Sequence, residues 1–385
     1  VSQVDPGTPT WLRAHNDRTA FRLLLEHGPL TRAQLGALSG MSKPTAAQML
    51  ARLERIDLIH PVGEVSAGRG PNAVSYGVRP DRITGVAVSM LADGIHAVVV
   101  DATDAEHPIA EISLATTERT PDADVRRAID AACAAAEVDP ATVSIVAVGV
   151  QAAVDVIGDT LSFTDTLPGW PATGSRARIE ERLGLTAVLE NDVNLAAMAE
   201  RAVGVSTEAD TAVLFWIGQG LGVALDFGGV VHRGASGGAG EIGYLEVPRS
   251  ASSIEPGADD LTSLVGGRPV SRLLGAEAGE RLGDVLHRLP TDPEALDAVA
   301  ERVVVAIAPL LAIVDPGLLV LGGPTGAAGG GGLAERVTRR LDREAHPHLS
   351  VQASTTGDQP VLLGARRLLV ERIRDLLEAD ITPAG

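Results

Sequence analysis

Residues Thr31 to Arg55, TRAQLGALSGMSKPTAAQMLARLER, constrain this chain more than any other stretch. They read as two short helices joined by a tight turn. Thr31 and Gln34 have the spacing of a capping box, with Thr as N-cap and Gln three residues on. Leu35 and Leu38 give the first helix an apolar face before Gly40 ends it. Ser42 caps a second helix, and Pro44 is tolerated there because it falls in the first turn. Ala46, Met49, Leu50 and Leu53 then fall on one stripe, with Lys43, Thr45, Gln48 and Arg52 on the other. Together with Ser42, that second stripe offers donors and acceptors suited to base edges and phosphates in the DNA major groove.

An ordinary helical hairpin has the same amphipathicity, so the flanking segments decide. Leu58 to Val62, the turn-rich Gly63 to Asn72, and Val74 to Val78 read as a two-stranded wing. Its loop SAGRGPN carries Arg69, suited to a minor-groove or phosphate contact, although taken alone Arg69 reads rather as a solvated loop charge. A preceding helix, Asn16 to Glu26, completes a winged helix-turn-helix.

Charge is divided along the chain. Of 385 residues, 32 are Lys or Arg and 50 are Asp or Glu, for a formal net charge of −18. Residues 1–79 carry nine basic and six acidic groups, so the remaining residues carry all of the negative excess. Phosphate attraction is therefore confined to the N-terminal module, and the acidic body is repelled from DNA. Lys43, where the second helix begins, is the only lysine. The one cysteine, Cys133, lies in an Ala-rich helical stretch and reads as a small buried hydrophobe, so one chain can form neither a disulfide framework nor a thiolate metal site. The N-terminus lacks a charged-then-apolar leader and no apolar stretch spans a bilayer, which leads us to expect a soluble cytoplasmic protein without a membrane partner.

After the wing, residues 84–116 read as three consecutive strands, followed by a helix at Asp122–Ala136 and a buried strand at Ile145–Val150. Helices at Arg176–Leu183 and Leu195–Ala202 flank a strand at Ala187–Leu189. Strands restart at Ala212–Ile217 and Gly222–Phe227. An apolar helix, Val299–Val314, leads to a strand at Leu318–Leu321. The Gly-rich Ala327 to Gly332 reads as a short loop, and Gln359–Leu377 as a strand turn and a long helix. This order implies two similar α/β lobes with a ligand cleft between them.

Several motifs in order resemble the ROK (repressor, open reading frame, kinase) family: LENDVNLAAMAE at Leu189–Glu200, GVVHRGASGGAGEIGYLEV at Gly229–Val247, LPGW at Leu167–Trp170 and VDPGLLVLGGP at Val314–Pro324. The resemblance covers nearly the whole chain. It implies an α/β protein in which a winged helix-turn-helix precedes a two-lobed sugar-kinase fold of the actin-like ATPase (ribonuclease H-like) type. The expected divisions are residues 1–80 for the DNA-binding domain, 81–194 for the first lobe (joined by a C-terminal helix, 363–385) and 195–362 for the second.

In the family's kinases an Asp of the Glu-Asn-Asp motif takes the proton from the attacking sugar hydroxyl. Here that position is Asp192, beside Asn191. Phosphoryl transfer also needs backbone N–H groups and a metal around the triphosphate. The family's Asp-x-Gly-x-Thr loop corresponds to Gly85–Leu91, with Ala87 in the acidic position and apolar residues in place of the turn. The second phosphate loop, Ile217–Leu225, keeps Gly218, Gly220 and Gly222 but has Gln219 and Ala224 where a hydroxyl and a glycine are usual. We therefore expect neither kinase activity nor an ATP cofactor. The family's structural zinc is expected to be absent as well: Tyr244 stands at the ligand His position, and Arg249 to Asp260 contains no cysteine.

Asn191, Asp192, Glu241, Tyr244 and Asp260 remain as candidates for binding a sugar or related small molecule. Asp260 stands in for a family glutamate, Ala152 and Ala153 replace a Pro-Gly turn, and a second pocket Asn is matched only by Asp165 or Thr166. On the alternative reading, Asp192 and Glu241 are inherited and only cap helices or stabilise loops. The resulting expectation is a DNA-binding regulator, a repressor, that senses a sugar without phosphorylating it and reads a double-stranded operator as a homodimer or homotetramer. Two alternatives stand beside it. One is an ATP-dependent sugar kinase with a DNA-binding head, and the other a regulator controlled by a protein partner, with an empty cleft.

Overall fold

The computed structural model describes residues 9–66, 72–114, 119–164, 167–251, 253–342 and 344–382. Arg69, Asp165 and Thr166 lie outside them.

Local chemistry builds the N-terminal head. Helix α1 (Pro9–His27) precedes strand β1 (Leu30–Thr31), and Thr31 caps α2 (Arg32–Ser39). The Thr31 hydroxyl accepts from the Gln34 amide, and the Gln34 carboxamide accepts from the Thr31 amide. Gly40 closes α2 at φ 69°, a conformation that a side chain would strain. Helix α3 (Lys43–Arg55) starts from the Ser42 cap with Pro44 in its first turn. Strands β2 (Ile59–Val65) and β3 (Ala73–Val78) form the wing, with β1 on the far side of β3. Ala46, Met49, Leu50 and Leu53 join Phe21, Leu24 and Leu35 in one buried cluster. Leu38 corrects the sequence reading, being 48% exposed. The face of α2 turned to α3 is centred on Leu35 and Gly36, and Gly36 lies so close to Met41 and Ala46 that it, not Leu38, fills the contact.

The body contains two sheets of the same topology. In the first, β4 (Thr84–Met90), β5 (Gly94–Val100) and β6 (Ala110–Ser113) form an antiparallel meander. After α4 (Pro121–Ala136), β7 (Val143–Val150) pairs in parallel with β4. A small hairpin, β8 (Ala153–Asp155) and β9 (Thr160–Ser162), and α5 (Ser175–Leu183) lead to β10 (Thr186–Asn191), parallel to β7. The order is β10-β7-β4-β5-β6.

Helix α6 (Asp192–Val203) leads into the second sheet, where β11 (Thr211–Ile217), β12 (Leu221–Phe227) and β13 (Val230–Val231) repeat the meander. Short helices α7 (Leu261–Val265), α8 (Gly267–Leu273) and α9 (Leu282–Val285) precede the long α10 (Pro293–Val314). Strand β14 (Leu318–Gly322), helix α11 (Gly323–Arg340) and β15 (Ser350–Ala353) complete the order β13-β12-β11-β14-β15. Helix α12 (Pro360–Ala379) then returns to pack on α6 and on β4, β5 and β7 of the first sheet.

Alternation along the first sheet places each side chain. Val86, Val88, Val146 and Val148 face α4 with Ile129 and Cys133, whereas Ala87, Val98, Val100 and Ala147 fall in the cluster that holds α12. That second cluster continues through Leu377 and Ile381 to Phe21 and Leu24, so the head and body share one apolar core.

Two expectations fail in the second half. Ala327 to Gly332 is not a loop but part of α11, which breaks only at Gly330. Just before the run, a Cβ at Gly326 would come within 2.7 Å of Leu321, so Gly326 lets the helix sit directly on β14, and packing overrides propensity. Gln359 is a helix-flanking residue, and the strand expected there lies earlier, at β15.

Candidate functional site

The two halves of the candidate site lie at opposite ends of the shared core. In the head, Lys43 and Gln48 are exposed on α3. Ser42 is spent as the helix cap: its Oγ accepts from the Thr45 amide and pairs with Thr45 Oγ1 at 2.9 Å. Arg52 has a different task from the one expected. It donates two hydrogen bonds, of 2.7 and 2.6 Å, to the buried carboxylate of Asp17 in α1. A bidentate pair of this kind fixes α3 against α1 and removes Arg52 from the row of free donors. Arg69 lies outside the described residues.

In the body, Asn191 and Asp192 stand where β10 becomes α6. Asn191 is the helix cap, its Oδ1 accepting from the Asn194 amide and its Nδ2 donating to the Ala152 carbonyl at 3.0 Å. The family's Asn is thus committed to joining α6 to the segment before β8. Asp192 follows in the first helical turn and accepts from the Val193 amide. Burial pushes its carboxyl from 3.8 up to about 7, and the nearby charge of Glu241 adds to the shift. Burial raises Glu241 as well. Gly240 is required beside it: at φ 91° a Cβ would lie 1.8 Å from the Val223 carbonyl oxygen. The structure therefore brings Asp192 and Glu241 together as a desolvated carboxylate pair.

Asp260 does not join them as a free side chain. It caps α7 in a reciprocal capping box with Ser263, its Oδ1 2.7 Å from the Ser263 amide. Tyr244 is 55% exposed and stacks on Phe163, with ring centroids 4.6 Å apart. Sequence reasoning missed Phe163, which follows β9, because no motif marks it. It also passed over Glu190 and Arg233, both inside the quoted motifs. The buried Glu190 accepts from the Asn191 amide and the Asn194 side chain, and Arg233 Nε donates to its other oxygen at 2.7 Å. This network holds the glycine-rich segment after β13 to the start of α6.

The two stretches that the sequence reading matched to phosphate loops are tied into their surroundings. Ala87 is fully buried in β4, opposite Val98 and Ala147. The Leu91 and Ala92 carbonyls in the β4–β5 turn are held by Nη1 of the buried Arg119. Asp93 in that turn forms an ion pair with Arg281, which precedes α9 on the second-lobe side. In the second loop, the Gly267 amide donates to the Gln219 carbonyl, and a Cβ on Gly267 would lie 2.5 Å from the Gln219 side-chain oxygen. The LPGW motif also has a packing role: Trp170 Nε1 donates to Asp124 at 3.0 Å, and Asp124 pairs with Arg119.

A model of the ROK family matches residues 86–372 of this chain. The chain belongs to the ROK family. Among curated ROK relatives, the putative xylose repressor of Caldicellulosiruptor sp. is 22% identical over 94% of this chain and 97% of its own length. The xylose repressor of Bacillus subtilis is 21% identical over 63% of each chain. The beta-glucoside kinase of Listeria monocytogenes is 29% identical over 49% of this chain and 66% of its own. The matches to the last two thus span just under two thirds of those proteins. A ROK transcriptional regulator, a homologue of the E. coli MLC protein, aligns with a TM-score of 0.67 at 19% identity, covering 96% of this chain and 99% of that one. A ROK glucokinase from Streptomyces griseus, in complex with glucose and AMPPNP, aligns with a TM-score of 0.59 at 23% identity over 74% of this chain and 98% of its own. Both likenesses establish the fold. Among the described residues, no helix is long and apolar enough to cross a membrane.

Proposed function

We propose that this ROK protein is a sugar-responsive transcriptional repressor that binds duplex DNA through α3 and its wing, and binds its effector at Asp192 and Glu241 without phosphorylating it. The observation that carries this reading is the continuous packing from the cleft to the head. Helix α6 begins at the cleft residues Asn191 and Asp192. Helix α12 lies against it so closely that a Cβ on Gly364 would sit 1.9 Å from the Leu195 carbonyl oxygen. At its other end α12 meets α1, where Arg22 bonds Glu378 and Arg18 donates to the Ile381 carbonyl. Asp17 of α1 in turn holds Arg52 of α3. A ligand that shifts α6 thereby shifts the helix that reads DNA, provided it binds the two states with different affinity.

Lys43 and Gln48 suit a guanine or phosphate and an adenine, respectively. A single head makes few base contacts, so we propose a symmetric oligomer reading a pseudo-palindrome. The names of the xylose repressors support a sugar as effector.

Absence of phosphoryl transfer is supported by the buried Ala87, which gives β4 no carboxylate at the position where the family carries its acidic residue. The residues at the family's zinc position do not fit the metal, since Tyr244 offers an aromatic ring and the following loop offers no thiolate. One observation favours the kinase reading. A carboxyl with a pKa near 7, as at Asp192, suits a general base.

The test is to select an operator from random duplexes with the full chain, then titrate D-xylose and D-glucose while monitoring ADP release from ATP. A repressor loses operator affinity to one sugar and releases no ADP. Sugar-dependent ADP release that disappears in Asp192→Asn would establish the kinase instead.

A further inference from the structure

Phe163 and Tyr244 come from different lobes and stack on each other, Tyr244 lying three residues after Glu241. The register places them. Ser162 pairs with Ala153 across the β8–β9 hairpin, so Phe163 follows directly after the hairpin whose other strand is preceded by Ala152, the residue whose carbonyl Asn191 bonds. Tyr244 ends the short turn that begins after Glu241. Phe163 holds φ 59°, the left-handed region that an aromatic residue adopts at a cost. It is 45% exposed and yet stacked on Tyr244 with an interplanar angle of 28°. Nearby, a Cβ on Gly237 would lie 2.0 Å from the Val154 carbonyl oxygen, so the second-lobe loop is seated on the same hairpin.

We infer that Phe163 and Tyr244 form an aromatic gate at the mouth of the cleft, and that the effector is a glycoside whose flat apolar substituent projects from the carboxylate pair onto this gate. The inference rests on the sugar-binding reading of Asp192 and Glu241 and adds the class of ligand. The largely desolvated carboxylates suit hydroxyl groups, whereas the two half-exposed rings offer a stacking surface and no charge. A free sugar uses only the first surface. A phenyl glycoside uses both, because its ring stacks against an aromatic edge or face in the way aromatic pairs prefer. The positive φ at Phe163 is also accounted for, since strain of this kind persists where the surrounding structure holds a side chain in place for use.

The test is calorimetric titration of the full chain with D-xylose, D-glucose and their phenyl β-glycosides, repeated on Phe163→Ala, Tyr244→Ala and Tyr244→Phe. The expected result is at least about tenfold tighter binding of one phenyl glycoside than of its parent sugar, consistent with one aromatic stacking contact. Phe163→Ala and Tyr244→Ala should each erase the preference for the glycoside over its parent sugar, and Tyr244→Phe should retain it. Equal binding of sugar and glycoside, or a preference that survives both alanine variants, overturns the gate and leaves sugar sensing intact. If none of the four compounds binds the wild-type chain, the gate and the sugar-sensing reading fail together.

Discussion

Arg22 in α1 donates two hydrogen bonds, of 2.7 and 2.6 Å, to the two carboxylate oxygens of Glu378 near the end of α12. The residues are 356 positions apart, and together with Arg18, which donates to the Ile381 carbonyl, they tie the head to the C-terminal segment. Arg22 is 67% exposed, so the pair contributes at most about 1 kcal/mol to stability. Its value in our account is geometric. Arg22→Ala should leave the melting temperature and sugar-free operator affinity nearly unchanged and reduce the loss of affinity that sugar causes. Fluorescence anisotropy with and without sugar measures this, and an undiminished response would remove the pair from the route.

Arg52 and Gln48 share a helix but should fail differently. Removing Asp17 leaves a partly buried guanidinium without its partner, which should cost about 2–3 kcal/mol of stability. Gln48→Ala should leave thermal unfolding unchanged and cost about 1–3 kcal/mol of operator affinity. Equal effects of Asp17→Ala and Gln48→Ala on unfolding would contradict this division of labour.

The Asp192 carboxyl makes stability and ligand binding respond oppositely to pH. Its pKa rises from 3.8 to about 7 on folding, so the neutral acid is favoured in the folded state. The associated stability is fully present below pH 3.8 and is lost as pH rises through 7. The full displacement corresponds to about 4 kcal/mol; because Asp192 retains some solvent contact, we expect Asp192→Asn to stabilise the protein by about 2 kcal/mol at pH 8. Sugar affinity in the wild type should instead rise between pH 6 and 8, where the carboxylate forms and accepts hydrogen bonds from the sugar hydroxyls. Denaturation at pH 5 and 8 tests the first statement; equal stabilisation by the asparagine variant at both would contradict it.

Trp170 and Arg119 meet through Asp124, buried beneath the β4–β5 turn. Trp170→Phe removes one hydrogen bond and should cost about 1–2 kcal/mol. Asp124→Ala leaves the buried Arg119 charge unpaired and should cost about 3–5 kcal/mol. Chemical denaturation gives both values, and a milder effect for Asp124→Ala than for Trp170→Phe would show that Arg119 finds another partner.

The helix-turn-helix was legible because its signals are local: a capping box at Thr31 and Gln34, a left-handed Gly40, and a single buried stripe from Ala46 to Leu53. The two-lobe order was legible for the same reason. What sequence could not supply were the long-range pairings. Arg52 looked like a free donor because its partner, Asp17, lies a helix away, and Asp260 looked like a pocket residue although it caps α7. The glycine run in α11 read as a loop because the helix it continues is held on β14 only in the fold, through Gly326. Phe163 carries no motif, and its meeting with Tyr244 depends on the approach of two lobes.

The most direct test of the central claim is operator binding by the full chain, measured by anisotropy on a selected duplex with Lys43→Ala and Gln48→Ala beside the wild type. Our account expects a pseudo-palindromic site, weakened binding in both variants and release of the wild type by the effector sugar. Unchanged affinity in both variants, or a chain that selects no sequence at all, would contradict it.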